Sequence, residues 1–318
     1  MCYSAMVEQR MKELERYFQA RIEWSTFEAL FGQRLIDSSI KIPKAVELNF
    51  LNPVLEVEQR IKLLIDQYHN IKETEWQQEL FKQKKRLAEA ERSLQSKQTK
   101  KALNDQRIAT NKMDALLSRL NDLRRATFDN RDAPIFPFNY APIVVNEGDG
   151  NKIILARYHC RQAGKPATID RQFDGLYNAR RDNLEKFWKG QFTKHHAIML
   201  INSFWENVAL HDYEHRELKL EEQPQNVVLH FNPNPPQLMA VACLWSHWEG
   251  KDNAPLNSFA AITDEPPPEI AAAGHDRVVI TLKREYLQGW LATGNDPATY
   301  YQMFDDRERP VFEHRRAA

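Results

Sequence analysis

From residue 55 to residue 126 the chain carries neither proline nor glycine, and charged side chains are dense throughout. Those two residues are the usual interrupters of a helix, so their absence over so long a stretch points to uninterrupted helix. Leu55, Ile61, Leu64, Ile65, Tyr68 and Ile71 recur at helical spacing. Leu80, Leu87 and Leu94 follow on a strict period of seven, and Leu103, Leu116, Leu120 and Leu123 resume beyond a polar stretch. The pattern predicts a long antiparallel helical hairpin, coiled-coil-like, turning near "QSKQTKKALND". Such a hairpin leaves and returns at neighbouring points. The flanks 1–54 and 127–318 are therefore expected to form one body, with 55–126 inserted into it. Between Lys82 and Arg125 there are thirteen Lys or Arg against five Asp or Glu, in a chain whose totals are 44 and 44. The arm is a possible contact for DNA or for a replication protein, set against the plainer reading of a solvated basic helix face.

The flanks read differently. Met6, Met11, Leu14, Phe18 and Ile22 keep near-helical spacing, which predicts helix over 6–35, and "KIPKAVELNFLNPV" is a connector with two prolines. Beyond "RDAPIFPF" come short apolar or alternating runs bounded by Pro, Gly, Asn and Asp: "APIVVNEG", "NKIILARYHC", "HAIMLINSFWENVAL", "NVVLHFN", "QLMAVACLW", "NSFAAIT" and "RVVITL". These are expected strands. "REYLQGWLA" and "PATYYQMF" are expected short helices. The fold class is α+β, a β-rich body with helices around it and the hairpin inserted near the front.

Several function classes lose support at once. The balanced charge leaves any nucleic-acid surface to local clustering. Cys2, Cys160 and Cys243 are scattered without a CxxC pair, which fits a reducing cytoplasm rather than a disulfide framework. No apolar run reaches the roughly 20 residues of a membrane span, and no secretory signal pattern opens the chain. No phosphate-loop, dinucleotide or serine-hydrolase motif occurs, so no cofactor is expected. His211, Glu214 and His215 in "HDYEH" match the H-x-x-E-H of inverted zinc peptidases. The motif follows a strand-like run and no third ligand is marked, so a solvated loop is the better reading and no metal is expected. His195 and His196 read as a surface pair, and Trp245 and Trp248 as core and rim aromatics.

Cys2 is the remaining singular residue. Once Met1 is removed it presents an amine and a thiol on adjacent carbons. The α-amine has a reference pKa of about 7.7–8.0, so much of it is unprotonated near neutrality. It can attack an aldehyde to give an imine, on which the thiol can close as a five-membered thiazolidine. Position two by itself proves no such use, and other residues must decide.

Four pieces, "MCYSAM" at the start, "LYNARRDNL" at 176–184, "INSFWENVAL" at 201–210 and "AGHDRVV" at 273–279, come in a telling order. With "ACLW" and "ITD" they resemble the SRAP domain, the family of SOS response-associated peptidases. Asn178, Ala179 and Arg180 match its N-A-R box, Glu206 its acidic strand residue, Ala242, Leu244 and Trp245 its A-G-L-[WY] strand, and His275 and Arg277 its H-x-R. There are departures. Asp182 stands for the glutamate of the first box, Asn207 follows Glu206 in place of tryptophan, Val278 and Val279 replace Met-Pro, and Tyr158–His159–Cys160 follow Arg157 where the family has Trp-Gly-Leu.

The resemblance implies a β-rich pseudo-barrel and a substrate, the abasic site in single-stranded DNA, whose deoxyribose opens to an aldehyde. It implies catalytic roles for Cys2, Asn178, Glu206 and His275. His275 would pass a proton to the sugar ring oxygen, Glu206 would shuttle protons from the Cys2 amine, and Asn178 would hold the terminus or the sugar without titrating. Arg180, Lys186 and Arg157 would meet phosphates, with Thr263 offering a hydroxyl. Two alternatives stand beside this: a cysteine-type peptidase that processes its own N-terminus, and a non-catalytic DNA-binding scaffold. A nucleoid-associated cytoplasmic protein without membrane contact is the expected setting.

Overall fold

The structure is a computed structural model and describes residues 4–250 and 253–317. Thirteen strands make one sheet system: β1 Ser4–Val7, β2 Arg21–Ile22, β3 Pro134–Ile135, β4 Tyr140–Asn146, β5 Asn151–Tyr158, β6 Asn178–Arg180, β7 His196–Ala209, β8 Asn226–Asn234, β9 Met239–Gly250, β10 Asn253–Asp264, β11 Val278–Val279, β12 Thr281–Leu282 and β13 Val311–Arg316. The path β9–β10–β5–β4–β7 closes on itself through a further β7–β9 pairing, giving a five-stranded barrel. The fold is α+β, as the sequence implies.

Alternation builds the barrel interior. Ile143 and Val145, Ile154 and Ala156, Ala197, Met199 and Ile201, Met239, Val241 and Cys243, and Phe259 and Ala261 all point into one buried cluster. The alternate residues, such as Ile198, Leu200, Ala242, Leu244 and Ile262, are buried too. Both strand faces are covered, which explains why these segments read as continuous apolar runs rather than as a clean alternation. Cys160 and Cys243 are buried free thiols.

Two barrel strands outrun the barrel. The first half of β7 closes it against β9 and β4, with His196 opposite Leu244 and Ile198 opposite Val144. The second half leaves to pair with β1, Ser4 opposite Trp205, and with β8, Glu206 opposite Leu229. In the same way the end of β10 passes beyond β9 and pairs with β6 and β11. Both strands are antiparallel to β9, so they project from the same end of the barrel.

The single helix expected over 6–35 is instead four pieces. Ser4–Val7 joins the sheet as β1, α1 spans Met11–Phe18, β2 follows, and α2 spans Trp24–Ile36. Sheet pairing overrides helical spacing at both strands: Ala5 lies between Phe204 and Ile135, and Ile22 lies beside Ile153. Gln19 ends α1 in the left-handed region at φ 49°. His196 also departs from the surface reading. Its ring is fully buried and stacks on Trp290 at 3.7 Å, with Nδ1 2.6 Å from the Trp290 carbonyl.

The chain divides into two compact units. One comprises the residues up to Leu30, Ser39–Asn49 and Asp129 onward; the other comprises Phe31–Ser38 and Phe50–Phe128. In the second unit, α4 Glu56–Ser96 and α5 Lys100–Arg124 form the hairpin, after a short α3, Lys44–Glu47, in the first. Glu58 caps α4 by accepting from the backbone N–H groups of Val54 and Leu55, and Thr99 caps α5 by accepting from Ala102. The buried seam consists of Ile61, Ile65, Gln83 and Ala90 on α4 and Ala102, Ala109, Leu116 and Leu120 on α5. The small residues at the seam allow close helix approach, and the Arg86–Asp105 and Arg124–Glu73 ion pairs show the antiparallel register. Gln83 is the polar exception. Its Nε2 donates to Glu79, whereas Oε1 is buried without a partner among the described residues.

Candidate active site

The site lies at the barrel end from which β7 and β10 project. Glu206 is on the projecting half of β7 and is fully buried. Facing it is His275, whose Nε2 is 3.4 Å from a Glu206 carboxylate oxygen. That is within ion-pair range but longer than a formed hydrogen bond.

His275 is delivered by a helix ending. The short helix Pro268–Ala272 closes with Gly274 N–H donating to the Ala271 carbonyl and His275 N–H donating to the Ile270 carbonyl. This pair of bonds is a Schellman turn, which requires a left-handed residue, and Gly274 supplies it at φ +84°. A side chain at that position would also meet backbone, because a Cβ would stand 2.8 Å from the Asp212 carbonyl carbon and 2.9 Å from the Tyr213 nitrogen. The "HDYEH" segment therefore serves as a wall for the histidine turn. It forms one helical turn, Leu210–Tyr213, and Glu214 pairs with Arg216 at 2.7 Å. Among the described residues no group of three His, Cys, Asp or Glu side chains could hold a metal ion.

The His275 ring is held on its other side by backbone. Nδ1 lies 2.9 Å from the Arg277 carbonyl oxygen and 3.2 Å from the Arg277 nitrogen. With Nδ1–H donating to that carbonyl, the neutral ring keeps Nε2 as its free basic nitrogen facing Glu206, and the protonated ring keeps the same backbone bond. Burial pushes the imidazole down to about 4, so it is neutral at physiological pH.

Asn178 and Thr263 come from the adjoining strands. β6 runs parallel to β10, with Asn178 beside Ala261 and Arg180 beside Thr263, and the period of two puts Asn178 and Thr263 on one face. Both are buried. Among the described residues neither the amide nitrogen and oxygen of Asn178 nor Oγ1 of Thr263 has a hydrogen-bond partner. Asp264, the next residue, is clamped by Arg181 at 3.1 Å and by the buried Arg307. Burial pushes the Asp264 carboxyl up, but the bonds from Arg307 and Arg181 outweigh it and hold the carboxyl below its usual range. The sequence reading missed this clamp, although Asp264 stands in the quoted "ITD".

The remaining sites separate. Arg180 is exposed and held by Asp182 through two bonds of 3.0 and 2.6 Å, and Lys186 is exposed. Arg157 is largely buried. It pairs with Asp170 at 2.9 Å, an oxygen it shares with Arg161, donates to the His159 carbonyl, and lies over the Phe138 ring. Its charge is thus committed within the body. Cys2 lies outside the described residues; β1 enters the sheet at Ser4, opposite the residue preceding Glu206.

The sequence model of the family described as SOS response associated peptidase (SRAP) matches residues 95–316. The chain belongs to the SRAP family. The matched range contains Asn178, Arg180, Glu206, Thr263 and His275, and membership gives this SRAP protein a DNA-damage-related role with peptidase-like or crosslinking activity. Among solved structures it is similar to a protein from Bacteroides thetaiotaomicron, at 13% identity and a TM-score of 0.46 over 58% of this chain and 78% of that one. It is also similar to a protein from Bordetella bronchiseptica, at 16% and 0.45 over 58% and 87%, and to a phage-related protein of the same organism, at 14% and 0.44 over 58% and 81%. No curated protein matches the chain. No helix among the described residues is long and apolar enough to cross a membrane.

Proposed function

We propose that this SRAP protein captures abasic sites in single-stranded DNA by forming a thiazolidine between the sugar aldehyde and Cys2, exposed by removal of Met1. The observation that carries the reading is the polar lining at the projecting barrel end. Among the described residues three buried polar atoms of Asn178 and Thr263 lack hydrogen-bond partners, on strands at the barrel end where the Glu206–His275 pair lies. An unsatisfied buried polar group costs about 1–3 kcal/mol, so a fold that keeps several together keeps them for something that binds there. β1 enters the sheet at Ser4, two positions after Cys2 in the sequence, and its partner strand carries Glu206.

The chemistry balances as a condensation. The Cys2 amine adds to the sugar C1′ carbonyl, water leaves to give the imine, and the thiol S–H adds across the C=N bond. Neutral His275 takes the proton of the C1′ hydroxyl and gives it to the sugar ring oxygen as the ring opens. The Arg277 backbone serves both protonation states of the ring, so this exchange needs no reorientation. Glu206 holds the amine and relays its proton to the departing hydroxyl. Asn178 and Thr263 bond the sugar hydroxyl or the terminus. Arg180 and Lys186 bind flanking phosphates, Arg180 by exchanging Asp182 for phosphate. Arg157 is left to its ion pair.

Single-turnover crosslinking to an abasic oligonucleotide tests these roles. Glu206→Gln and His275→Ala are expected to slow the reaction by about 10²–10⁴-fold in folded protein. Parental rates in both would refute the assignment. Hydrolysis of peptides by the parent without any adduct would favour the cysteine-peptidase reading instead.

A further inference from the structure

The hairpin is electrically polarised along its length. The Arg86–Asp105 and Arg124–Glu73 pairs fix which residues share a level: they set Lys84 opposite a residue between Arg107 and Met113, so 84–96 of α4 lie beside the start of α5 up to about Lys112. Residues 84–112, the distal part, hold nine Lys or Arg against three Asp or Glu, a net of +6. The rest of the two helices, 56–83 and 113–124, holds six against eight, a net of −2. A helix the length of α4 extends about 60 Å, so this separation of charge far exceeds the roughly 8 Å over which salt screens it.

The cations at the far end are also uncommitted. Lys84, Lys85, Arg92, Lys97, Lys100 and Lys101 are exposed, and among the described residues none of them makes an ion pair. At the base the pattern is reversed: Lys62 pairs with Asp66, Lys72 with Glu75 and Arg60 with Glu56. Like charges at such density repel one another on a helix, a cost that a bound polyanion relieves.

We propose that the hairpin tip is a sequence-independent clamp for the phosphate backbone of duplex DNA. Charge complementarity names the polyanion. Composition chooses the duplex: from Lys82 to Arg125 there is no Phe, Trp or Tyr, so the tip has no platform on which unpaired bases could stack. A duplex asks for nothing but cations and offers about one phosphate charge per 1.7 Å of axis. The Lys and Arg chemistry gives positioning contacts and no base readout. This inference does not depend on the reaction proposed for Cys2.

The test is fluorescence anisotropy of the full chain on a duplex of ~30 base pairs over a salt series. Two triple variants are compared with the parent: Lys84→Gln/Lys85→Gln/Arg92→Gln and Lys97→Gln/Lys100→Gln/Lys101→Gln. A base control carries Arg60→Gln/Lys62→Gln/Lys72→Gln. Glutamine keeps helix propensity, and far-ultraviolet circular dichroism checks that each variant remains helical. Each phosphate contact contributes about 0.9 to the slope of log affinity against log salt, so each tip triple is expected to lower that slope by about 2–3 and the pair combined by up to about 5. The base control keeps the parental slope. Parental duplex affinity and slope in helical tip variants would overturn the proposal. An equal loss of affinity for single strands of the same length would overturn the duplex assignment.

Discussion

Gly274→Ala is a small change whose cost can be worked from two independent features of the backbone. The first is conformational. At φ +84° the residue sits in the left-handed region, where an L-residue with a Cβ costs about 1–2 kcal/mol. The second is steric. The new Cβ would approach backbone atoms of Asp212 and Tyr213 at 2.8 and 2.9 Å, distances real Cβ atoms do not occupy. Backbone cannot rotate aside as a side chain can, so the turn itself must shift, at a further cost of about 1–3 kcal/mol. Gly164→Ala separates the two effects. Its φ is +75° and nothing lies within 4 Å of the added methyl, so it carries the first cost alone. Urea unfolding of both variants is expected to show Gly274→Ala as the less stable by about 1–3 kcal/mol. The displaced turn carries His275, so crosslinking to abasic DNA should slow in Gly274→Ala and stay parental in Gly164→Ala. Equal stability losses and equal rates in the two variants would refute the reasoning that this glycine positions the histidine.

Three further outcomes are expected. Burial holds His159, His196 and His275 at about 4, below the unfolded reference of about 6.5. The unfolded chain therefore binds protons that the fold refuses: the stability is fully present above about pH 6.5 and is lost as pH falls toward 4, by ~1 kcal/mol per histidine near pH ~5.5. Denaturant unfolding at several pH values checks this, and a flat profile between about pH 7.5 and 5.5 would contradict it. Gln83→Leu replaces the half-satisfied seam amide with an apolar side chain and should stabilise the hairpin by about 1 kcal/mol, seen as a raised unfolding midpoint; a lowered midpoint would show that the amide and its bond to Glu79 are needed. Asp182→Asn releases Arg180 from its carboxylate and should tighten noncovalent binding of single-stranded DNA a few-fold at low salt, an effect absent in Asp182→Asn/Arg180→Ala.

The long elements were legible because each carries its own period. The hairpin announces itself by an unbroken run without Pro or Gly, and β4, β5 and β7 to β10 by apolar runs between turn residues. What the sequence hid was made by partners. Asn178–Arg180 and Arg21–Ile22 are too short to show any period and are strands only because β10 and β5 lie beside them. Ser4–Val7 was masked by methionines at helical spacing, and its true determinant is β7. The site shows the same division. Glu206, His275, Asn178 and Thr263 stand out by their residue types and order. The clamp of Arg181 and Arg307 on Asp264, and the use of the "HDYEH" backbone as a wall for Gly274, are long-range contacts with no local signature. Burial likewise decided Arg157, since nothing beside it in sequence announces its pairing with Asp170.

The most direct measurement is a denaturing gel of the Met1-processed protein after incubation with single-stranded DNA carrying one abasic site. The account predicts a shifted band that survives boiling in detergent, with a mass equal to protein plus DNA less one water. Cys2→Ala should abolish it, and Cys2→Ser should leave at most a band that needs borohydride trapping, because a hydroxyl closes the ring poorly. An undiminished boiling-stable band in Cys2→Ala, or no band from the processed parent, would contradict the central claim.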